Sequence, residues 1–74
     1  MATVRDFEIG DLDHVRPHDD VEAVVRLIEC DGEKLIQIDT FGRSTREMPG
    51  KLSQSLRLDA TAFHKLTKLG QEHF

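Results

Sequence analysis

Apolar and polar positions alternate along three stretches of the chain, each with the period of a strand. Residues 21–30, VEAVVRLIEC, are rich in β-branched and other apolar types and stop at Asp31-Gly32. The run EKLIQIDTF follows at once. A two-residue Asp-Gly link between such runs is the strongest short-range hairpin signal, because the type I′ turn needs positive φ at both positions. That turn sets Val25 opposite Ile38, Leu27 opposite Ile36 and Glu29 opposite Lys34. This side is expected to be core, closed by an opposite-charge pair. The other side carries Ile28 beside Leu35, Val24 beside Asp39 and Phe41 near Glu22. A solvated antiparallel face is mostly polar, so this side predicts a cover, from the N-terminal segment or from a second subunit.

Gly42 ends the hairpin (residues 21–41), and residues 42–50 read as a basic loop closed by the turn dipeptide Pro49-Gly50. Alternation returns over 51–58. Leu52, Gln54, Leu56 and Leu58 point one way; Lys51, Ser53, Ser55 and Arg57 point the other. Asp59 then suits a helix N-cap, and Ala62, Phe63, Leu66 and Leu69 form one apolar stripe at helical spacing. Lys65 and Lys68 suit the negative end of the helix dipole, and Gly70 suits the position just past the end. The helix is predicted over 59–70, with Gln71–Phe74 either fraying or continuing. Residues 1–20 read as an acidic strand and loop: VRDFEI as a strand, then a loop in which Pro17 disfavours helix at Arg16. The expected fold is a single α+β domain, residues 1–74. It has a curved antiparallel sheet of three to four strands followed by one C-terminal helix.

Length sharpens this picture. A chain of 74 residues buries only about 60% of its unfolded surface, so a second subunit is a natural source of further burial. Val, Ile, Leu and Phe supply 21 of the 74 residues, above the ~20% associated with disorder. The net charge is −4, unevenly spread: residues 1–30 hold three cations and eight anions, residues 31–74 seven and six. Cys30 is alone, which excludes an intrachain disulfide and a Cys-rich zinc site. No apolar run reaches the ~18 residues of a membrane span and no signal-peptide pattern opens the chain, so a cytoplasmic setting is expected. Tyr and Trp are absent, which leaves Phe7, Phe41, Phe63 and Phe74 for any base stacking.

Candidate chemistry is sparse. His14 and His18 lie among Asp11, Asp13, Asp19 and Asp20, but Pro17 breaks the helical geometry that would aim both imidazoles at one ion. The segment reads as a solvated acidic loop. Ser53 and Ser55 have no base beside them in a nucleophile motif, Asp39 and Glu47 carry no mark of an acid–base pair, and phosphate-cradling Gly-rich patterns are absent. The expectation is a protein that is not an enzyme and needs no metal or cofactor. Arg43, Arg46, Lys51 and Arg57, with Ser53 and Ser55 between them, suit a run of phosphates. They equally suit a solvated strand face and a loop kept soluble by charge.

The order of strand, DGEKLIQIDTF, polar loop, REMPGK, strand and SLRLDATAFHKL helix resembles the positive-cofactor-four family over residues 20–69. That family comprises a transcriptional coactivator and its bacterial and phage relatives, and FEIG at 7–10 is similar to its first strand. The resemblance implies a four-stranded antiparallel sheet with one helix, a homodimer packed through the helices, and single-stranded nucleic acid along the sheets and basic loops. What the resemblance carries over is Phe41, for base stacking, the Pro49-Gly50 turn, and Lys51, Arg43 and Arg46 for the nucleic acid. The outward strand face adds Ser53, Ser55 and Arg57 to that expected surface, and a dimer packed through the helices would use Phe63, Leu66 and Leu69. The chain departs from the family's pattern at the hairpin. Cys30, Asp31 and Glu33 replace an aromatic and basic residues, Asp39 replaces a basic strand residue, and Gly42 replaces a second aromatic. Leu52–Gln54 is similar to a small insertion. The leading expectation is a single-stranded nucleic-acid binder or transcription-associated regulator. The alternative is a small protein-interaction module or inhibitor on the same scaffold, using the acidic N-terminal half or an exposed sheet edge.

Overall fold

The computed structural model describes residues 1–42 and 51–74. Its elements are β1 (Ala2–Val4), β2 (Ala23–Cys30), β3 (Glu33–Phe41), β4 (Leu52–Leu58) and α1 (Ala60–His73). The strands form one sheet in the order β1-β4-β3-β2, so the α+β architecture of a sheet followed by one C-terminal helix holds. The sheet is mixed and not antiparallel throughout: β1 runs parallel to β4, with Ala2 opposite Leu56 and Val4 opposite Leu58. The first strand also lies ahead of the expected VRDFEI run (residues 4–9) and shares only Val4 with it. No helix among the described residues is long and apolar enough to cross a membrane.

The hairpin takes the register that its turn dictates. Val25 pairs with Ile38, Leu27 with Ile36 and Glu29 with Lys34. Asp31 and Gly32 hold φ of 52° and 77°, the left-handed conformations of a I′ turn, which Asp and Gly adopt most readily. The Phe41 amide donates to the Glu22 carbonyl at 3.1 Å, which carries the ladder one step past the strand ends. β3 also pairs with β4, placing Gln37 opposite Arg57 and Asp39 opposite Ser55. A one-residue irregularity follows Thr40, so that Phe41 meets Leu52 and not Ser53.

The core sits where β4 runs into the helix. Leu58 is 2% exposed and Ala62 is fully buried; Leu35 is also buried, on the opposite side of the sheet from Leu58. The Asp59 carboxylate caps α1 by accepting from the Ala62 amide at 2.8 Å. The helix passes through Gly70 to His73, and the Phe74 amide donates back to the Gly70 carbonyl at 2.9 Å. Because α1 starts directly after β4, it packs against that strand. A helix is about 10 Å across and strands stand about 4.8 Å apart, so one helix shields about two strands. β2, two strands away from β4, stays uncovered. The expected core side is therefore buried only in part: Leu58 is buried there and Ile36 and Ile38 are half-buried, whereas Val25 and Leu27 are 60% and 83% exposed. Leu35, on the other side, is buried.

The N-terminal segment leaves the sheet after Val4 and ties the ends together. Arg5 pairs with Glu33 at the hairpin end and with Asp59 at the helix cap. Asp6 then accepts from Lys65 at 3.1 Å. Phe7 and Ile9 line a groove against Leu66 and Leu69 of the helix, in place of the strand expected there.

Candidate nucleic-acid interface

Strand pairing lays Arg26, Gln37, Arg57 and Thr3 in one row across all four strands. The next row along holds Val24, Asp39 and Ser55. Asp39 is 3% exposed and accepts from three side chains. Arg26 Nε donates at 2.8 Å, Gln37 Nε2 at 2.9 Å, and Ser55 Oγ completes the set. Gln37 Oε1 in turn accepts from Arg57 Nε at 2.8 Å. Both ends of the Gln37 amide are thus used, and the network runs from Arg57 through Gln37 and Asp39 to Arg26.

The Ser55 hydroxyl, then Arg26 and Gln37, hold the Asp39 carboxyl down to about 2, against the opposing effect of burial. It is an ionised internal partner for Arg26 and not an acid available to a reaction. Arg26 keeps half of its side chain in solvent. Arg57 has no carboxylate partner among the described residues. It lines a shallow groove of about 290 Å³ with Thr3, Gln37 and Ser55.

The other expected contacts are distributed less evenly. Ser55 and Arg57 stand together, but the Ser55 proton is committed to Asp39. Ser53 falls at the irregularity. The Lys51 carbonyl accepts from the Gly42 amide at 2.8 Å, one step out of the Ser55–Arg57 alternation. Phe41 ends β3 half-buried. Arg43, Arg46 and the Pro49-Gly50 turn lie outside the described residues. Arg26 and Gln37 are the members that sequence reading missed. Their signal was the hairpin register itself, which sets Arg26 beside Gln37 and one step from Asp39.

The opposite side of the sheet is apolar and open. A groove of about 510 Å³ separates β2 and β3 from the helix, lined by Leu27, Ile36, Leu58, Ala60, Phe63 and His64. The helical stripe is therefore divided: Phe63 faces this groove, whereas Leu66 and Leu69 face Phe7 and Ile9. Among the described residues no group of three or more His, Cys, Asp or Glu converges to hold a metal ion. No family model, curated protein or solved structure matches the chain.

Proposed function

We propose that the chain is a non-enzymatic binder of single-stranded nucleic acid in a transcription-associated role, working as a homodimer. The observation that carries this reading is the division of the sheet into two unlike sides. One side presents Arg26 and Arg57 on either flank of Gln37, at a spacing fixed by adjacent strands. The other is apolar, with an open groove between the strands and the helix. With Asp39 cancelling one charge, the row keeps a net +1. Lys51, Arg43 and Arg46 add cations from the neighbouring loop and Phe41 adds a stacking ring. Binding built on so few phosphate contacts is weak and falls with salt, about 0.7 log units per decade of salt for each phosphate neutralised on a single strand. A cytoplasmic, reducing setting suits the exposed free thiol of Cys30.

Fluorescence anisotropy with a labelled oligothymidine at low and moderate salt tests the reading. Binding is expected at low salt, weakened by Arg57→Glu and by Lys51→Glu combined with Arg46→Glu. No binding at low salt overturns the proposal, and binding indifferent to all three substitutions overturns the residue assignment. A second reading, a protein-interaction module or inhibitor without nucleic-acid binding, is favoured by the apolar groove beside Phe63. It predicts a flat anisotropy titration.

A further inference from the structure

The sheet has two edges of very different character. β1 offers three residues, whereas β2 offers eight, all exposed except Ile28. Because the Phe41 amide donates to the Glu22 carbonyl, the even-numbered residues of β2 turn their backbone groups toward β3. Ala23, Val25, Leu27 and Glu29 therefore turn N–H and C=O outward, away from the sheet. Protected edges are short, bulged, covered, or broken by Pro and charge. β2 has no Pro and no irregularity in its pairing with β3. Its two charges are already engaged in the sheet: Arg26 bonds Asp39, and Glu29 stands opposite Lys34.

Surface area points the same way. A compact monomer of 8.4 kDa exposes about 4,600 Å² by the usual scaling; this chain exposes 6853 Å². This excess includes contributions from the extended N-terminal segment, exposed throughout residues 8–22, and from the open side of the sheet. It exceeds the ~800 Å² that each partner gives to a standard interface.

We propose that β2 is the seam of the homodimer: the β2 edges of two copies pair antiparallel across a two-fold axis, joining two four-stranded sheets into one of eight strands. The proposal rests on the homodimeric part of the reading above and is independent of its nucleic-acid part. A second copy is the fitting occupant because the outward set is self-complementary: odd-numbered residues meet odd-numbered residues about the axis. With the axis at Leu27, Arg26 of one copy stands opposite Ile28 of the other, which avoids a like-charge pair. Val25 and Leu27, exposed in the single chain, gain cross-strand neighbours on the apolar side of the joined sheet: Leu27 stands beside Leu27 of the other copy, and Val25 beside its Glu29. Both copies keep their polar rows on the same side, and the two apolar grooves become neighbours.

Sedimentation without nucleic acid, combined with amide exchange, tests this. The wild-type chain is expected at twice 8.4 kDa, with the Val25 and Leu27 amides protected although they have no acceptor within the monomer. Leu27→Lys charges a side chain that is 83% exposed and so spares the monomer fold. Val25→Pro removes an outward N–H and leaves the ladder to β3 intact. Each is expected to keep the wild-type circular dichroism and to weaken dimerisation by about 30-fold or more. Should Val25→Pro not fold, Leu27→Lys and the wild-type amides decide. A wild-type monomer at every concentration overturns the proposal. So does a dimer whose Val25 and Leu27 amides exchange freely, or a folded Leu27→Lys dimer of undiminished strength. Capture of an extended peptide by a chain that never self-associates overturns it as well. Anisotropy on the same samples reports the nucleic-acid reading separately.

Discussion

On the polar side of the sheet, a carboxylate near the end of β3 holds two arginines and a glutamine in fixed positions across three strands. Asp39 draws Arg26 and Gln37 to itself and takes the Ser55 hydroxyl, and Gln37 then fixes Arg57. In the sequence Asp39 looks like a liability, an acid where a phosphate-binding strand would carry a base. It reads differently once Arg26 and Ser55 are set beside it, a placement that needs two registers, one of them non-local. The titration of Asp39 gives a direct check. Its carboxyl is lowered from the ordinary 3.8 to about 2, so the folded state favours the ionised form. The resulting stability is fully present above the ordinary value and is lost as pH falls from about 4 toward 2. Urea midpoints measured across that window should fall for the wild type and fall less steeply for Asp39→Asn. The variant should also be the less stable at neutral pH, since Arg26 loses its partner. Parallel pH curves would show that this carboxylate is not the group responsible.

Elements built from local signals were legible in the sequence, and those closed by distant contacts were not. The Asp31-Gly32 turn fixes the β2–β3 register within a few residues, and the pairing follows that register throughout. β1 is three residues long and finds its parallel partner more than fifty positions away, so nothing near Ala2 announces it. The helix start was equally local. The Asp59 cap bonds the Ala62 amide at 2.8 Å, between two of the most buried of the described residues, Leu58 and Ala62. Its end was less so, because a helical Gly costs only about 1 kcal/mol against Ala, and Gln71 and Glu72 are sound helix formers. The cap therefore makes a quantitative prediction at this scale. Asp59→Ala should destabilise the fold by about 0.5–2 kcal/mol in urea unfolding, with Asp59→Asn recovering most of the loss. A loss of similar size in both variants would mean that the contact of Asp59 with Arg5, and not the cap, is what matters.

At the scale of the whole molecule, periodicity told which residues share a side of the sheet but not which side the helix would shield. Val25, Leu27, Ile36 and Ile38 form the apolar set that alternation identifies, yet the helix reaches only its β4 end. Leu58 and Ala62 are buried there, while Leu27 stays in solvent. If the folded state is the proposed dimer, heat stability is linked to concentration. If two chains unfold from one dimer, a tenfold rise in protein adds about 1.4 kcal/mol per dimer. Two chains of this length carry an unfolding entropy of about 0.3 kcal/mol/K, so Tm should rise by about 4–5 °C for each tenfold increase. Scanning calorimetry over two decades of concentration reads this directly. Leu27→Lys should give a lower Tm, one that stops moving with concentration wherever its weakened dimer has dissociated before unfolding. A wild-type Tm independent of concentration would mean that the monomer stands on the Leu58–Ala62 core alone, with the β2 edge open.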